Sequence, residues 1–382
     1  MVKRRVVVIG AGVAGLETAL ALRALAEELV SVEIVAPEQD FSYRPLAVAE
    51  PFLVGEVRRF PLEPLVRAAG ATLRGGRLIA LDAGQKVVSL AGGVALPYDT
   101  VVLALGARPR EAVPGALTFR GPEDLPAFEA LLERATTGEI RRIAFVAPRG
   151  ATWPLPLYEL ALLTAGYLVE HLTRGVEIVI ITPEARPLEL FGDAASTAIA
   201  QLLELRGIRF EHDSVDADAV VALPLLEGVP IDGVPQDGDG FVSTDELGWV
   251  LGLTDVYAAG DMTQFPVKQG GLAAQQADAV ASSIAADAGA SVRPMTFKPV
   301  LRGLLLTGMT PRFLRAGPGE HPSLVDTQPL WWPPAKIVGR YLSPFLADHL
   351  GMATEATRPP HVEALQVDVA LDTGDHARWS SV

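Results

Sequence analysis

The sequence has 382 residues, 49% of them apolar and 20% charged, which is enough to build a hydrophobic core in each of two or three domains. Acidic residues outnumber basic ones by 46 to 32, and the net charge of −14 argues against nucleic acid as a partner because it repels phosphate backbones. The chain contains no cysteine, which excludes disulfides and cysteine nucleophiles. Its six histidines show no metal-binding spacing, so we predict no metal site.

Short β-branched runs alternate with longer helical stretches, a pattern typical of parallel βαβ units. The elements predicted first are a strand at 6–9, a helix at 13–28, strands at 32–35, 77–81 and 86–90, and a buried strand at 100–105. They are followed by a strand at 143–146, a helix at 158–171, a strand at 176–181, a helix at 196–205, a strand at 255–259 and a helix at 271–286.

These elements predict an α/β fold with two doubly wound, Rossmann-like dinucleotide-binding domains, the first interrupted by the second, plus a C-terminal domain. The expected boundaries are 1–112 with 242–292 for the first domain, 113–241 for the second, 293–351 for the C-terminal domain and 352–382 for a tail. In the tail, Leu365, Val367, Val369 and Leu371 alternate with less apolar residues and predict one edge strand. No export signal and no apolar run of 18 residues is found, so we expect a cytoplasmic location.

The strongest motif is the glycine-rich turn between the first strand and the first helix. Gly10 permits the tight turn, Gly12 lets a pyrophosphate approach the backbone, and Gly15 lets helix and strand pack closely. With the intervening Val13 and Ala14, these residues predict a dinucleotide site at a helix N-terminus, where free N–H groups attract phosphate. The alternative is that the glycines serve only a tight turn.

The end of the second strand departs from this pattern. The acid that usually binds a ribose hydroxyl there is replaced by Ala36. Glu38, two residues further on, either reaches the ribose instead or is a solvated carboxylate of the loop. Both residues are candidates for cofactor contact.

Two later segments resemble those of flavoproteins with two dinucleotide domains. The sequence YDTVVLALGARP at 98–109 is similar to their YDxLVxATGxxP strand, and DVYAAGD at 255–261 is similar to their xVYAxGD segment. The resemblance implies FAD at the first site, with Ala104, Leu105, Gly106 and Gly260 near it and Asp261 accepting a hydrogen bond from the ribityl chain. Each segment taken alone is also consistent with a buried strand that ends at glycine.

The resemblance narrows to sulfide:quinone oxidoreductases and flavocytochrome c sulfide dehydrogenases, and more distantly to type II NADH dehydrogenases. DFSYRPL at 40–46 and KQGGLAAQQA at 268–277 carry it, and it covers roughly residues 3–350. It implies that a helix start faces the flavin, where its dipole stabilises the reduced ring. The candidates it adds are Arg44, Pro45, Lys268, Gly271 and Leu272; the alternative for Lys268 is a solvated lysine.

The second domain lacks a glycine-rich turn after its first strand. Residues 147–159 read APRGATWPLPLYE, and proline offers no N–H group to a pyrophosphate. The segment resembles the CPPxPYE loop of the sulfide-oxidising family, with Trp153 in the position of the reactive cysteine. This implies an NAD-type domain that is degenerate and has lost its sulfur chemistry. Trp153 and Lys268 are candidates for lining the flavin, and we predict no catalytic side-chain nucleophile.

We therefore predict an FAD-dependent oxidoreductase in which a non-covalent flavin exchanges electrons with a small-molecule donor or acceptor, such as a quinone. Two alternatives stay open, an NAD(P)H:acceptor oxidoreductase and a non-catalytic FAD-binding regulatory protein. The aromatic segment at 331–342 is either core or a contact with a membrane or a second copy of the chain.

Overall fold

The computed structural model describes residues 2–213, 215–317 and 323–349. Two five-stranded parallel sheets form the centres of two layered units, and smaller antiparallel sheets surround them. The α/β class with two Rossmann-like sheets is thereby confirmed.

The strands of the described residues are numbered in chain order. They are β1 (Arg4–Ile9), β2 (Val30–Ala36), β3 (Asp40–Tyr43), β4 (Arg58–Pro61), β5 (Thr72–Gly75), β6 (Leu78–Asp82), β7 (Val87–Leu90), β8 (Val94–Pro97), β9 (Thr100–Leu103), β10 (Ala107–Arg110), β11 (Leu117–Thr118), β12 (Arg142–Val146), β13 (Glu177–Ile181), β14 (Ile208–Glu211), β15 (Ala219–Ala222), β16 (Leu225–Gly228), β17 (Val256–Ala258), β18 (Leu301–Leu305), β19 (Arg312–Ala316) and β20 (Leu324–Asp326).

The α-helices of the same residues follow the same numbering. They are α1 (Val13–Ala26), α2 (Leu62–Ala68), α3 (Leu125–Thr136), α4 (Leu155–Glu170), α5 (Asp193–Leu205), α6 (Gly270–Asp287) and α7 (Leu342–His349). Short 3₁₀ turns occupy Arg44–Phe52, Pro122–Asp124 and Glu189–Phe191.

The first parallel sheet has the strand order β17-β9-β1-β2-β5. β1 is central, and its residues from Val6 to Ile9 are at most 1% exposed, because helices cover one face and the β6-β7-β8 sheet covers the other. This explains why the strand is continuously apolar rather than alternating. Strand order reverses between β1 and β9, and in sheets of this type ligands bind beyond the carboxyl ends of the strands at that point.

Helices α1 and α6 pack against each other on this sheet. Both helices contribute small buried residues to the shared core, among them Ala19, Ala21, Ala277 and Ala281. α7 joins the same core through Leu342 and Leu346. The C-terminal segment is therefore built onto the two helices that begin at the cofactor edge of the sheet.

The second parallel sheet has the order β11-β15-β12-β13-β14. Its core is filled by the apolar face of α4, which begins at Leu155, three residues before the predicted start. Pro156 in the first turn is compatible with this earlier start, since a proline there removes no helical hydrogen bond. The β18-β19-β20 sheet packs against this core through Leu305 and Leu314.

Other predicted elements also shift. The strand predicted at 100–105 ends at Leu103, and the antiparallel pair of β10 and β16 was not predicted from the sequence. The predicted edge strand at 365–371 lies outside the described residues. The domain boundaries stay a prediction, and no helix among the described residues is long and apolar enough to cross a membrane.

Candidate functional site

The three glycines in the turn after β1 have two different structural roles. A Cβ on Gly10, whose φ is +110°, would lie 2.2 Å from the carbonyl oxygen of Ala104, and a Cβ on Gly15 would lie 2.0 Å from the carbonyl oxygen of Gly10. Both glycines are therefore required for close packing of backbone on backbone. A Cβ on Gly12 would meet nothing within 4 Å, so this residue faces open space at the start of α1.

The first turn of α1 is open to a ligand. Gly12 is its N-cap and supplies no side-chain acceptor, and its carbonyl accepts the first helical bond from Leu16 at 3.0 Å. The N–H groups before Leu16 thus have no intrahelical partner. Together with the helix dipole they favour an anion in front of Gly12.

The other two predicted segments meet this turn at the same edge of the sheet. β17 pairs with β9, which pairs with β1, so their carboxyl ends lie side by side. Gly260, with φ +83°, sits where a Cβ would be 3.1 Å from Cβ of Ala14 on α1 and 3.5 Å from Cβ of Ala273 on α6. Leu105 donates its N–H to the sulfur of Met262 at 3.4 Å. The structure thus brings the three motifs together.

Asp261 follows this turn with a carboxylate that the protein leaves available. Burial raises its pKa, and the charge of Lys268 is the opposing influence; within the described residues no protein donor hydrogen-bonds the carboxylate. The residue remains partly exposed, so it lines a recess rather than the core. A partly desolvated acceptor without a partner is suited to a ligand hydroxyl.

Lys268 is not a solvated lysine. It is 6% exposed, donates to the carbonyl of Thr263, and places its ammonium group 3.8 Å from the ring centroid of Phe241. Burial lowers its pKa to about 8, although Asp261 and Asp237 act in the opposite direction. A buried cation therefore stands just before the start of α6.

The start of α6 is held by two glutamines. The side chain of Gln269 accepts from the N–H of Leu272 at 2.9 Å and donates to the carbonyl of Arg302 at 2.9 Å. Gln276 accepts from the N–H of Gly260 at 2.6 Å. A Cβ on Gly271 would lie 2.9 Å from Oε1 of Gln269, which explains the glycine after this cap.

The other residues of the first parallel-sheet unit that the sequence predicts to contact the cofactor lie around this edge of the sheet. Ala36 is buried at the end of β2, Glu38 is exposed in the loop that follows, and Arg44 is exposed at the start of a 3₁₀ turn. Val13 is partly exposed beside Gly12, and Gly106 has φ +67° and faces open space.

Pro45 marks a junction that sequence analysis missed. Its carbonyl accepts from Nζ of Lys336 at 3.0 Å, and the same ammonium group contacts the carboxylate of Glu159 at 2.6 Å. Glu159 is fully buried, and burial raises its pKa despite the charge of Lys336. Ile337, the next residue, covers Gly270 and donates its N–H to the hydroxyl of Tyr43 at 3.0 Å. One buried ion pair thus joins the two parallel-sheet units and the C-terminal segment.

The second unit has no comparable open turn among its described residues. The N-cap of α4 is Pro154, and the acid after β13, Glu184, points into the protein. The hydroxyl of Tyr158 donates to Glu184 at 2.6 Å, and that of Thr182 donates at 3.2 Å. Burial raises the pKa of Glu184. One oxygen of this acid, which stands where the ribose of a nicotinamide dinucleotide would be held, is therefore engaged by the protein, and the other, Oε1, is buried without a hydrogen-bond partner among the described residues.

Trp153 packs edge-on against Phe191, with ring centroids 5.8 Å apart, in the core of the second unit. Phe191 lies against Gly303. Gly303 follows Arg302, whose carbonyl accepts a hydrogen bond from Gln269 at the start of α6. Trp153 is therefore connected to the start of α6 through Phe191 and this strand.

The aromatic segment is largely core. Trp331 is fully buried against Phe313, and its indole N–H donates to the carbonyl of Ala335 at 3.0 Å. Of the two alternatives for this segment, Trp331 fits the core, because its side chain has no accessible surface, and contact of the segment with a membrane or a second copy stays a prediction.

Residues 4–148 match the family model described as pyridine nucleotide-disulphide oxidoreductase. The chain is 30% identical over 218 residues to the alkyl hydroperoxide reductase F protein of Pseudomonas putida, and the match covers 51% of this chain and 40% of that protein. The chain thus spans less than half the length of this relative.

Two further matches extend over most of the chain. It is 27% identical over 316 residues to the ferredoxin–NAD(+) reductase component of a benzene 1,2-dioxygenase system from Pseudomonas putida, covering 73% of this chain and 74% of that protein. The sulfide:quinone oxidoreductase structure from Aquifex aeolicus matches with a TM-score of 0.75 and 19% identity, covering 85% and 86% of the two chains. At this identity the structural match shows the fold.

We expect Gly12→Val to remove the predicted FAD without unfolding the chain. The added side chain has room in the protein but enters the space in front of α1 that a pyrophosphate would need. FAD per chain, measured by absorbance, should fall to near zero, while the melting temperature of the stripped protein should match that of stripped wild type. Gly84→Val, in the exposed β6–β7 turn, is the control and should retain FAD. Full occupancy in Gly12→Val would show that the site lies elsewhere.

Asp261→Ala should weaken FAD retention about ten- to a hundredfold. A hydrogen bond to a charged group contributes about 1.5–3 kcal/mol, and each 1.4 kcal/mol is about one decade in Kd. Rebinding of FAD to stripped protein, followed by fluorescence quenching, measures the change. Asp232→Ala, at an exposed position, is the control. An unchanged Kd for Asp261→Ala would mean that the segment only ends a strand.

Proposed function

We propose that this chain, whose residues 4–148 match the family model described as pyridine nucleotide-disulphide oxidoreductase, is an FAD-dependent oxidoreductase that passes electrons between a small-molecule donor and a quinone-type acceptor. The observation that carries the proposal is the convergence of the open turn at Gly12 with the unpartnered carboxylate of Asp261 at one sheet edge. FAD, when bound, would supply the redox centre, and the protein supplies binding and electrostatics.

The residues present fit such a dinucleotide. The first turn of α1 offers N–H groups to a pyrophosphate, and Gly12 leaves the space for it. Asp261 accepts a hydroxyl hydrogen bond from the chain that links the pyrophosphate to the ring system. Lys268 and the start of α6 place positive charge close by, which stabilises negative charge that develops on reduction.

The absence of cysteine decides against sulfur chemistry. Sulfide oxidation and disulfide reduction both proceed through a thiolate, which this chain cannot provide. Trp153 takes the position of the cysteine in the loop that resembles the sulfide-oxidising family. The flat, apolar indole ring of Trp153 suits contact with a planar acceptor such as a quinone. We keep the cytoplasmic location as part of the same proposal.

An NAD(P)H:acceptor oxidoreductase is the second candidate. A relative that matches over most of the chain is named a ferredoxin–NAD(+) reductase, which favours a nicotinamide donor. Pro154 at the N-cap of α4 and the engagement of Glu184 by Tyr158 count against it, because they remove the usual anchors for pyrophosphate and ribose.

Anaerobic reduction separates the two candidates. We expect dithionite to bleach the flavin fully and a soluble quinone to restore its absorbance, whereas equimolar NADH, NADPH and sulfide leave it oxidised. Bleaching by NADH or NADPH within seconds would favour the second candidate. Bleaching by sulfide above the rate for free FAD would contradict the loss of sulfur chemistry. Failure of every quinone to reoxidise the reduced flavin would contradict the proposed acceptor.

A further inference from the structure

Two carboxyl groups lie against each other between α1 and α6, away from the proposed cofactor site. Glu17 of α1 is fully buried, and Asp278 of α6 is within hydrogen-bonding reach of it. Oδ1 of Asp278 is shielded from solvent and has no partner among the described residues. Two adjacent carboxyl groups in such surroundings do not both ionise readily, so they share a proton.

Glu17 also holds the C-terminal segment in place. Its Oε1 accepts from the N–H of Tyr341 at 2.8 Å, and its Oε2 accepts from the N–H of Leu342 at 2.7 Å. A Cβ on Gly339 would lie 2.5 Å from Oε2 of Glu17, so the chain can pass this close only as glycine. The segment 339–348, which includes most of α7, is therefore anchored directly on the carboxyl pair.

The charges around the pair balance only while one proton is retained. The ionisable groups that face it are Glu17 from α1, Asp278 from α6 and Arg340 from the segment itself. Burial raises the pKa of Glu17 to about 7, although the N–H donors of Tyr341 and Leu342 and the charge of Arg340 lower it. Burial and the neighbouring Glu17 raise the pKa of Asp278 well above its usual value.

We propose that the Glu17–Asp278 pair is a pH-sensitive latch that holds segment 339–348 on α1 and α6 while the two carboxyl groups share a proton, and weakens when that proton is lost. Loss of the proton leaves two buried negative charges beside one arginine. Undocking relieves their repulsion because water can then reach both carboxylates.

The direction follows from proton linkage. In undocked chain the two groups titrate near 4.5 and 3.8, so the docked state binds more protons across the range from there to about pH 7. Docking is therefore strongest below this range and weakens as pH rises through it. A single linked proton changes the docking constant by at most about tenfold per pH unit.

The two carboxyl groups of the latch lie on the two helices that begin at the proposed cofactor edge, but the latch does not require FAD to be bound. α1 begins next to Gly12 and α6 begins just after Lys268. Undocking the segment would expose the buried core around Leu342. The pair therefore couples pH to the packing of both helices whether or not the proposed function is correct.

Amide hydrogen exchange of the full chain tests the latch. Protection of peptides covering 337–346, corrected for intrinsic exchange, should fall between pH 5 and pH 7.5, while peptides covering β12 keep theirs. In Asp278→Asn, which preserves shape and can donate a hydrogen bond to Glu17, only Glu17 is left to titrate, so protection should fall less over this range than in the wild type; Asp278→Ser serves as a second neutral variant. Glu28→Gln, exposed just beyond the end of α1, should behave as wild type.

A flat profile for residues 337–346 in the wild-type chain would overturn the proposal without any variant. Equal pH dependence in the wild type and in a folded neutral variant at position 278 would also overturn it, because Asp278 would then take no part in the titration.

Discussion

The approach of Gly15 to the backbone of Gly10 is the contact on which the first unit depends. With a Cβ at Gly15 only 2.0 Å from that carbonyl oxygen, any other residue would force α1 away from β1. Because α1 starts where it does, Gly260 fits between α1 and α6, and the edge formed by β1, β9 and β17 becomes a recess. Asp261 then lines this recess, with the buried Lys268 close by.

The parts of this site that sequence predicts are those with local steric causes. Gly10, Gly12 and Gly15 act within one turn, and the strands β9 and β17 lie in short apolar runs that stop at Gly106 and Gly260. Gln276 was missed because its role depends on a turn 16 residues earlier in the chain. A polar amide within a helix of alanines was the available signal, since such a group needs a buried partner.

Sequence patterns do not predict contacts between residues that are far apart in the chain. Lys336 and Glu159 are 177 positions apart, and neither lies in a segment whose periodicity indicates burial of a charge. The strands of the β18-β19-β20 sheet were likewise not predicted, because their pairing is set by packing on the second unit. Such contacts nevertheless hold the two parallel-sheet units together, and breaking a buried pair by removing one partner costs about 3–5 kcal/mol.

The central claim is that the recess beside Gly12 and Asp261 holds a non-covalent FAD. The most direct measurement is to denature the purified chain, filter it, and identify the flavin by chromatography and absorbance. The account predicts about one FAD per chain in the filtrate and none left on the protein; cysteine, one of the side chains that attach flavins covalently, is absent from the chain. A filtrate without FAD, or flavin that stays with the denatured chain, would contradict it.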